Sequence, residues 1–119
     1  MHADLVESVF KLNDKNPPIV VAEIGINHEG SLETAIQMAD AAIDSGALFI
    51  KHQTHIPDAE MSLEAKDAIP GNADVSIYEV ISRCTLSEAD ERELMDHVTN
   101  RGAIFFLSLI HISEPTRPY

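Results

Sequence analysis

Apolar and polar residues follow one another along this chain in blocks that predict strands and helices in alternation. The stretch "PPIVVAEIG" is rich in β-branched residues and closes on Gly25, which is typical of a strand buried on both faces. We predict this strand over residues 18–25. The next block, "SLETAIQMADAAIDSG", repeats apolar residues at helical spacing between Ser31, a favourable N-cap, and Gly46, a favourable stop.

The same order continues through the rest of the chain. "ALFIKHQTH" predicts a second strand, and no hairpin turn precedes it. A long segment, residues 56–83, carries several turn signals and one short predicted helix in "SIYEVISRC". "TLSEADERELMDHVTNRG" predicts a helix that starts with Thr85 and Glu88 in capping-box spacing, and "AIFF", residues 103–106, starts a third strand.

Strands that alternate with helices favour an α/β fold with a parallel sheet. A strand, a helix and a second strand without a hairpin turn form a βαβ unit, for which a right-handed crossover is expected. The pattern leaves two architectures open: a (βα)8 barrel and a doubly wound sheet.

Charge and composition narrow the possible functions. The net charge is −12 and the chain has only eight Lys and Arg, which argues against a nucleic-acid surface. No apolar run approaches the roughly 20 residues of a membrane helix. Cys84 stands alone and cannot form an internal disulfide, and the N-terminal residues do not resemble a signal peptide. We therefore expect a cytoplasmic protein that binds neither nucleic acid nor membrane.

The candidate chemistry lies at the strand ends, where parallel α/β folds place their sites. With a period of two, the first strand presents Glu23 on one face and the second presents Lys51 and Gln53 on one face. A carboxylate and an ammonium therefore meet near one rim of adjacent strands. The alternative is a buried ion pair with no further role, although burying such charges is costly.

Other polar residues are weaker candidates. His28, His52 and His55 could form a metal cluster, but His52 alternates away from the Lys51 face and the three lack a recognised ligand spacing. Asn72 in "PGNAD" is more often a turn residue than a ligand contact.

Three motifs in order, "AEIGINHEGSLETA", "KHQTH" and "IPGNADVSIYEVISRC", resemble the bacterial sialic acid synthase (N-acetylneuraminate synthase) family from about Pro18 to Phe106. The resemblance implies a truncated (βα)8 TIM barrel, about the first three βα units. It further implies a homodimeric parent that condenses phosphoenolpyruvate with N-acetylmannosamine and uses a divalent metal, Mn or Mg. The family's metal-binding histidines lie on later strands, so no metal ligand is assigned in this chain.

Roles for individual residues follow from the same resemblance. Lys51 resembles the lysine that pairs with phosphoenolpyruvate, and Glu23 resembles the catalytic carboxylate beside the reacting carbons. Gln53 would bind the sugar, and Asn72 is a further candidate for sugar binding.

The end of the chain departs from the family pattern. "LSLIHISEPTR" resembles the translation of a transposase adapter used in preparing sequencing libraries. We therefore expect residues 1–106 to be the N-terminal part of a synthase barrel and residues 107–119 to be non-native. We expect no turnover by this chain, and unpaired sheet edges at the first and third strands.

Two alternatives remain at this point. A synthase for legionaminate or pseudaminate would use the same phosphoenolpyruvate chemistry on a different acetamido sugar, although "KHQTH" with "PGNADVSIYE" favours the N-acetylneuraminate branch. A non-catalytic binding or assembly module could also retain the opening units of the barrel.

Overall fold

A computed structural model describes residues 18–109 of the chain. Within this part, strands and longer helices alternate as the sequence predicts. The elements are β1 (Val21–Gly25), α1 (Leu32–Asp44), β2 (Phe49–Thr54), α2 (Pro57–Glu60), α3 (Leu63–Lys66), α4 (Ile77–Arg83), α5 (Glu88–Asn100) and β3 (Ile104–Leu109).

The described strands form one parallel sheet in the order β1-β2-β3. Helices α1 and α5 pack against each other as well as against the sheet, so both cover the same face. A doubly wound fold places helices on both faces of its sheet, whereas a barrel keeps them all outside. The arrangement is therefore that of the opening part of a (βα)8 barrel, and it is a partial sheet in the described residues.

The hydrophobic core lies between the sheet and these two helices. Ile50 of β2 is fully buried against small residues of α1 and larger ones of α5. The buried apolar residues of the core cluster are Ile24, Ala35, Ala39, Ile50, Leu86, Leu94, Val98 and Ala103. Close packing of this face fixes the direction in which the alternate residues of each strand point.

The opposite face of the sheet is open in the described residues. Val21 and Phe106 on this face are 42% and 37% exposed. The prediction that the first strand is buried on both faces is therefore wrong here, because only the helix side of β1 is covered. The strand is also shorter than residues 18–25, and Val20 before it is 66% exposed.

Serine caps define the helix starts. In α1, α3, α4 and α5 a serine side chain accepts a hydrogen bond from the backbone N–H three residues on. Ser31 caps α1 as predicted, but the predicted capping box of Thr85 and Glu88 is wrong. Ser87 caps α5 instead, since the Thr85 hydroxyl donates to the carbonyl of Ile81 in the preceding turn.

Two further boundaries differ from the sequence expectation. The segment 56–83 contains α2 and α3 as well as the predicted short helix. Strand β3 continues beyond Phe106, pairing Ser108 with Gln53 and Leu109 with Thr54. The remaining part of the segment expected to be non-native, residues 110–119, and the N-terminal residues 1–17 lie outside the described residues.

The loop between β1 and α1 approaches α4 closely at Gly30. This glycine has φ +81°, and a Cβ built on it would overlap the carbonyl oxygen of Arg83. Gly102 offers a matched comparison, because its φ is +84° and no atom of the described part of the chain lies within 4 Å of its would-be Cβ.

We predict that Gly30→Ala destabilises the fold more than Gly102→Ala. Both variants carry the strain of a positive φ, about 1 kcal/mol, and Gly30→Ala adds a steric overlap of about 1–3 kcal/mol. Urea unfolding of both variants measures the difference. Equal losses of stability would show that the loop and α4 do not approach as described.

We also predict that the chain self-associates through its open sheet edges. Sedimentation velocity should show association that rises with concentration and is reduced by Val21→Lys on β1, since an edge lysine opposes strand pairing. Leu63→Lys on α3 is the control, because Leu63 is 83% exposed and lies outside the sheet. A monodisperse wild-type monomer would contradict the prediction.

Candidate functional site

The register between β1 and β2 places a carboxylate beside an ammonium. Glu23 lies directly opposite Lys51, and Lys51 Nζ is 3.3 Å from Glu23 Oε1. Gln53, two residues further along β2, donates from Nε2 to the same Glu23 oxygen at 3.1 Å. The structure thus brings together Glu23, Lys51 and Gln53 on the open face, as the period-two argument predicts.

A bulge in β1 lies next to this group. Glu23 pairs with Lys51, but the next paired residue is Gly25 with His52, so Ile24 is the extra residue of β1. Gly25 has φ +59°, and its would-be Cβ lies 3.6 Å from Asn27 Nδ2 and 3.8 Å from Gln53 Oε1. A glycine is favoured here because the backbone turns through the left-handed region beside Gln53.

The ion pair is only partly shielded from solvent. The side chain of Lys51 is 27% exposed and that of Glu23 is 46% exposed. A pair at this exposure stabilises a fold by at most about 1 kcal/mol. Replacing Glu23 by a ligand oxygen as the partner of Lys51 therefore costs little free energy. The alternative of a buried ion pair with no further role does not describe a pair that is this exposed.

Asn72 lies apart from this group. It occupies an exposed turn after Pro70, and its side chain makes no hydrogen bond to Glu23, Lys51 or Gln53 within the described residues. The turn conformation is the one that the sequence favours for this residue. Its role in substrate binding stays a prediction.

Behind the open face, on the helix side of the sheet, lies a buried polar group. His28 and His52 are each 1% exposed, and their Nε2 atoms are 2.9 Å apart. His52 Nδ1 faces Glu91 Oε1 of α5 at 3.5 Å, and the Thr54 hydroxyl donates to that oxygen at 2.9 Å. We call His28, His52, Thr54 and Glu91 the histidine cluster.

Sequence reasoning found only part of the histidine cluster. It considered His28 and His52 as metal ligands and did not pair them with each other. Glu91 lies three residues before Leu94 and seven before Val98, and this spacing is the signal that places it on the buried side of α5. Among the residues that the structure describes, no three His, Cys, Asp or Glu side chains are grouped so that they could hold a metal ion.

Burial sets the ionisation of the histidine cluster. Desolvation lowers the pKa of His52 to about 4, with smaller contributions from the nearby charges of His28 and His55. Desolvation also lowers the pKa of His28 and raises that of Glu91. Both imidazoles are therefore neutral in the folded protein near pH 7.

His55 belongs to a separate contact at the end of β2. Its Nδ1 lies 3.0 Å from Glu60 Oε2, and both side chains are largely buried. The other Glu60 oxygen accepts from the backbone N–H of Ile56 at 2.7 Å. Glu60 thereby holds the chain where it leaves the sheet for α2.

Fold and site together define a class of protein: a parallel α/β barrel unit with a carboxylate, an ammonium and an amide on the open face of two neighbouring strands. The family model described as "NeuB family" matches residues 38–114, which is more than half of the chain. The chain belongs to the NeuB family. This match continues past residue 106, into the segment that the sequence suggests is non-native.

Similar proteins of known name agree with this membership. The chain is 34% identical over 93 residues to N,N'-diacetyllegionaminic acid synthase of Legionella pneumophila, covering 75% of this chain and 26% of that protein. It is 32% identical over 95 residues to the spore coat polysaccharide biosynthesis protein SpsE of Bacillus subtilis, covering 75% and 24%. The chain thus spans about a quarter of the length of these relatives.

A solved structure supports the fold. The N-acetylneuraminic acid (sialic acid) synthetase of Leptospira borgpetersenii, crystallised in complex with citrate, aligns with a TM-score of 0.67 and 22% identity. The alignment covers 82% of this chain and 30% of that one. At this identity the likeness establishes the fold alone.

Within residues 18–109, none of the helices combines the length and apolar character required to cross a membrane.

We predict that the stability of the protein falls in mild acid through His52. Its folded pKa lies below the ordinary 6.5 of the unfolded state, so the unfolded state binds more protons between these values. The contribution of His52 to the free energy of unfolding is complete above pH 6.5 and is lost as the pH falls toward 4. Between pH 7.5 and 5.5 the loss of unfolding free energy amounts to about 1 kcal/mol.

Urea unfolding of wild type and His52→Gln at both pH values isolates this contribution. The raised pKa of Glu91 acts in the opposite direction in both proteins, so the difference between them is the informative quantity. The stability advantage of the wild type over His52→Gln should shrink in acid. An advantage that is independent of pH would contradict the prediction.

Proposed function

We propose that this chain is the opening part of a synthase that condenses phosphoenolpyruvate with an acetamido sugar to give a sialic-acid-type product and phosphate. Membership of the NeuB family supports the proposal. The observation that carries it is the contact of Glu23 with Lys51 and Gln53 at one rim of the sheet. Each of these three groups has a chemical task in such a reaction.

Lys51 would bind a negatively charged oxygen of phosphoenolpyruvate. Its ammonium is partly shielded, so an ion pair there is screened less than in bulk water. In the reaction, C3 of phosphoenolpyruvate attacks the sugar aldehyde, water adds to C2, and the C2–O bond breaks as phosphate leaves. An ammonium at this place holds the enol phosphate while charge builds on the departing group.

Glu23 would act on the proton of the attacking water or of a sugar hydroxyl. Its Oε1 accepts from Gln53 and faces Lys51, so one carboxylate oxygen is held while the group stays about half exposed to a ligand. A fixed carboxylate within hydrogen-bond reach is what general acid–base chemistry requires. Gln53 would bind the sugar with its remaining amide donor and its carbonyl oxygen.

The charge balance of the rim indicates that the described residues form part of a site. The ammonium of Lys51 is matched by the carboxylate of Glu23, so the pair has no net charge. Phosphoenolpyruvate carries more than one negative charge at neutral pH, and full neutralisation needs further cations. We therefore propose that the remaining binding groups, and the ligands of any divalent metal, lie outside residues 18–109.

The identity of the sugar has two candidates. The motifs favour N-acetylmannosamine and an N-acetylneuraminate product. The relative from Legionella pneumophila is a diacetyllegionaminic acid synthase at 34% identity, which favours a diacetylated sugar of the same class. Assay of the gene extended through its genomic DNA, with each sugar and phosphoenolpyruvate, would decide between them. Homodimer assembly and a cytoplasmic location of the parent protein stay predictions.

We predict that phosphoenolpyruvate binds weakly at Lys51 in this chain, with a Kd in the millimolar range. NMR titration should shift the Lys51 and Gln53 side-chain signals. Lys51→Met should weaken binding about tenfold or more, because a hydrogen bond between charged groups contributes about 1.5–3 kcal/mol.

Lys66→Met provides a matched control for that titration. Lys66 is 26% exposed, close to the value for Lys51, and it pairs with Asp58 in α2 at 3.0 Å, outside the rim. This variant should bind as the wild type does. Equal weakening by both substitutions would indicate general charge attraction and would contradict a site at Lys51.

We further predict no turnover by the 119-residue chain supplied with phosphoenolpyruvate, either sugar and Mn²⁺. Within residues 18–109 the positive charge of Lys51 at the rim is balanced by Glu23, so these residues do not supply the cations needed to stabilise the departing phosphate. Release of inorganic phosphate that depends on the sugar would measure turnover. Such release by the purified chain would refute the proposal that the site is incomplete.

A further inference from the structure

The pair of buried histidines behind the rim has a defined proton order. The backbone N–H of Gly30 donates to His28 Nδ1 at 3.0 Å, so that nitrogen presents a lone pair. The single proton of neutral His28 is then on Nε2, from which it is donated to His52 Nε2 at 2.9 Å. The proton of His52 is consequently on Nδ1.

The far end of the pair points at α5. His52 Nδ1 makes no hydrogen bond within the described residues, and Glu91 Oε1 lies 3.5 Å from it. The Thr54 hydroxyl already donates to that oxygen. The hydrogen bonds therefore run in one direction: Gly30 donates to His28, His28 donates to His52, and the His52 Nδ1–H group points toward Glu91 on α5.

The histidine pair is placed at the bulge of β1. His52 is the β2 residue that pairs with Gly25, at the point where the register shifts. His28 comes three residues after Gly25, at the far side of the turn, and its ring stacks on that of His52 with centroids 5.1 Å apart. The bond between the rings thus closes the turn that leaves β1 immediately after Glu23 and Ile24.

We propose that His28 and His52 are positioning residues whose mutual hydrogen bond holds the β1 bulge closed and thereby fixes Glu23 toward Lys51 and Gln53. A β-bulge changes the direction of the side chains next to it. This bulge lies between Glu23 and the loop that joins β1 to α1. The pair touches neither substrate nor the rim itself. Its effect on ligand binding rests on the proposed function, whereas its effect on Glu23 does not.

The hydrogen bond between the two rings requires that one of the two facing Nε2 atoms carries a proton and the other does not. A second proton on His52 Nε2 would set two N–H groups against each other and break the bond. The titratable groups around His52 are His28 in the loop, His55 at the end of β2, and Glu91 on α5, with Glu88 close to Glu91. The lowered pKa of both rings keeps the pair neutral and intact near pH 7.

The first test uses the wild-type chain labelled with ¹⁵N in its histidines. At pH 7.5 the two-bond ring correlations should show His28 protonated on Nε2 and His52 protonated on Nδ1. The opposite tautomer for either ring would overturn the proton order and the proposal with it. At the same pH a nuclear Overhauser effect between the Gln53 amide and Glu23 should report the intact rim contact.

The second test compares His28→Leu with His97→Leu. His97 pairs with Asp40 across α1 and α5 at 2.7 Å, so its loss removes a histidine contact remote from the bulge. His28→Leu should abolish the Gln53–Glu23 Overhauser effect and weaken phosphoenolpyruvate binding about tenfold, while signals between Ile50 and Leu94 persist. His97→Leu should leave the rim contact and the binding unchanged.

These readouts separate the two proposals. If the wild type does not bind phosphoenolpyruvate, the proposed function fails, and the Overhauser effect still tests the positioning role. If His28→Leu keeps the rim contact, the positioning role is overturned whatever the binding shows. If His28→Leu does not fold, the ring tautomers of the wild type decide, and the opposite tautomer for either ring overturns the proposal.

Discussion

The parallel pairing of β1 with β2, in the register that sets Glu23 opposite Lys51, is the constraint on which the rest of this structure depends. A shift by one residue would turn Lys51 and Gln53 toward the helices and bring His52 to the open face. The buried packing of Ile24 and Ile50 against α1 and α5 prevents that shift. The hydrophobic core therefore determines which polar residues are available for chemistry.

The two faces of the sheet have different tasks. The helix face buries the apolar core and the histidine cluster, whose two imidazoles are neutral near pH 7. This packing holds the strands in place. The open face carries the ion pair, where partial exposure allows Lys51 to exchange partners. In parallel barrels this division is general, since stability resides in the packed layers and chemistry at the carboxyl ends of the strands.

Much of this organisation can be predicted from the sequence, because periodicity reports burial. The alternation of α and β elements and the Ser31 cap follow from local patterns, and so does the common face of Lys51 and Gln53. The shorter β1 depends on tertiary contacts that local patterns do not report, whereas Ser87 caps α5 because the Thr85 hydroxyl bonds back to Ile81 at the end of α4. The bulge at Gly25 depends on a register between strands 28 residues apart at Glu23 and Lys51, and it is also beyond local prediction.

The resemblance to sialic acid synthases and the physical reading of the chain converge on the same three residues. The proposed function gives a chemical task to Glu23, Lys51 and Gln53, and the structure shows that they meet. The histidine cluster is only partly visible in the sequence, since His28 and His52 were weighed there as metal ligands and not as partners of each other, and Glu91 was not singled out. Its position at the bulge explains how a polar group on the helix face could influence a site on the other face.

Disulfide cross-linking tests the central claim, that Glu23 and Lys51 emerge side by side on one face of the sheet. In a Cys84→Ala background, E23C with K51C should form a disulfide readily, because directly paired residues of neighbouring strands meet the Cα separation of about 4.4–6.8 Å that the bond requires. A22C with K51C should not, since Ala22 points to the opposite face. Failure of the first pair to cross-link, or equal cross-linking of both, would contradict the account.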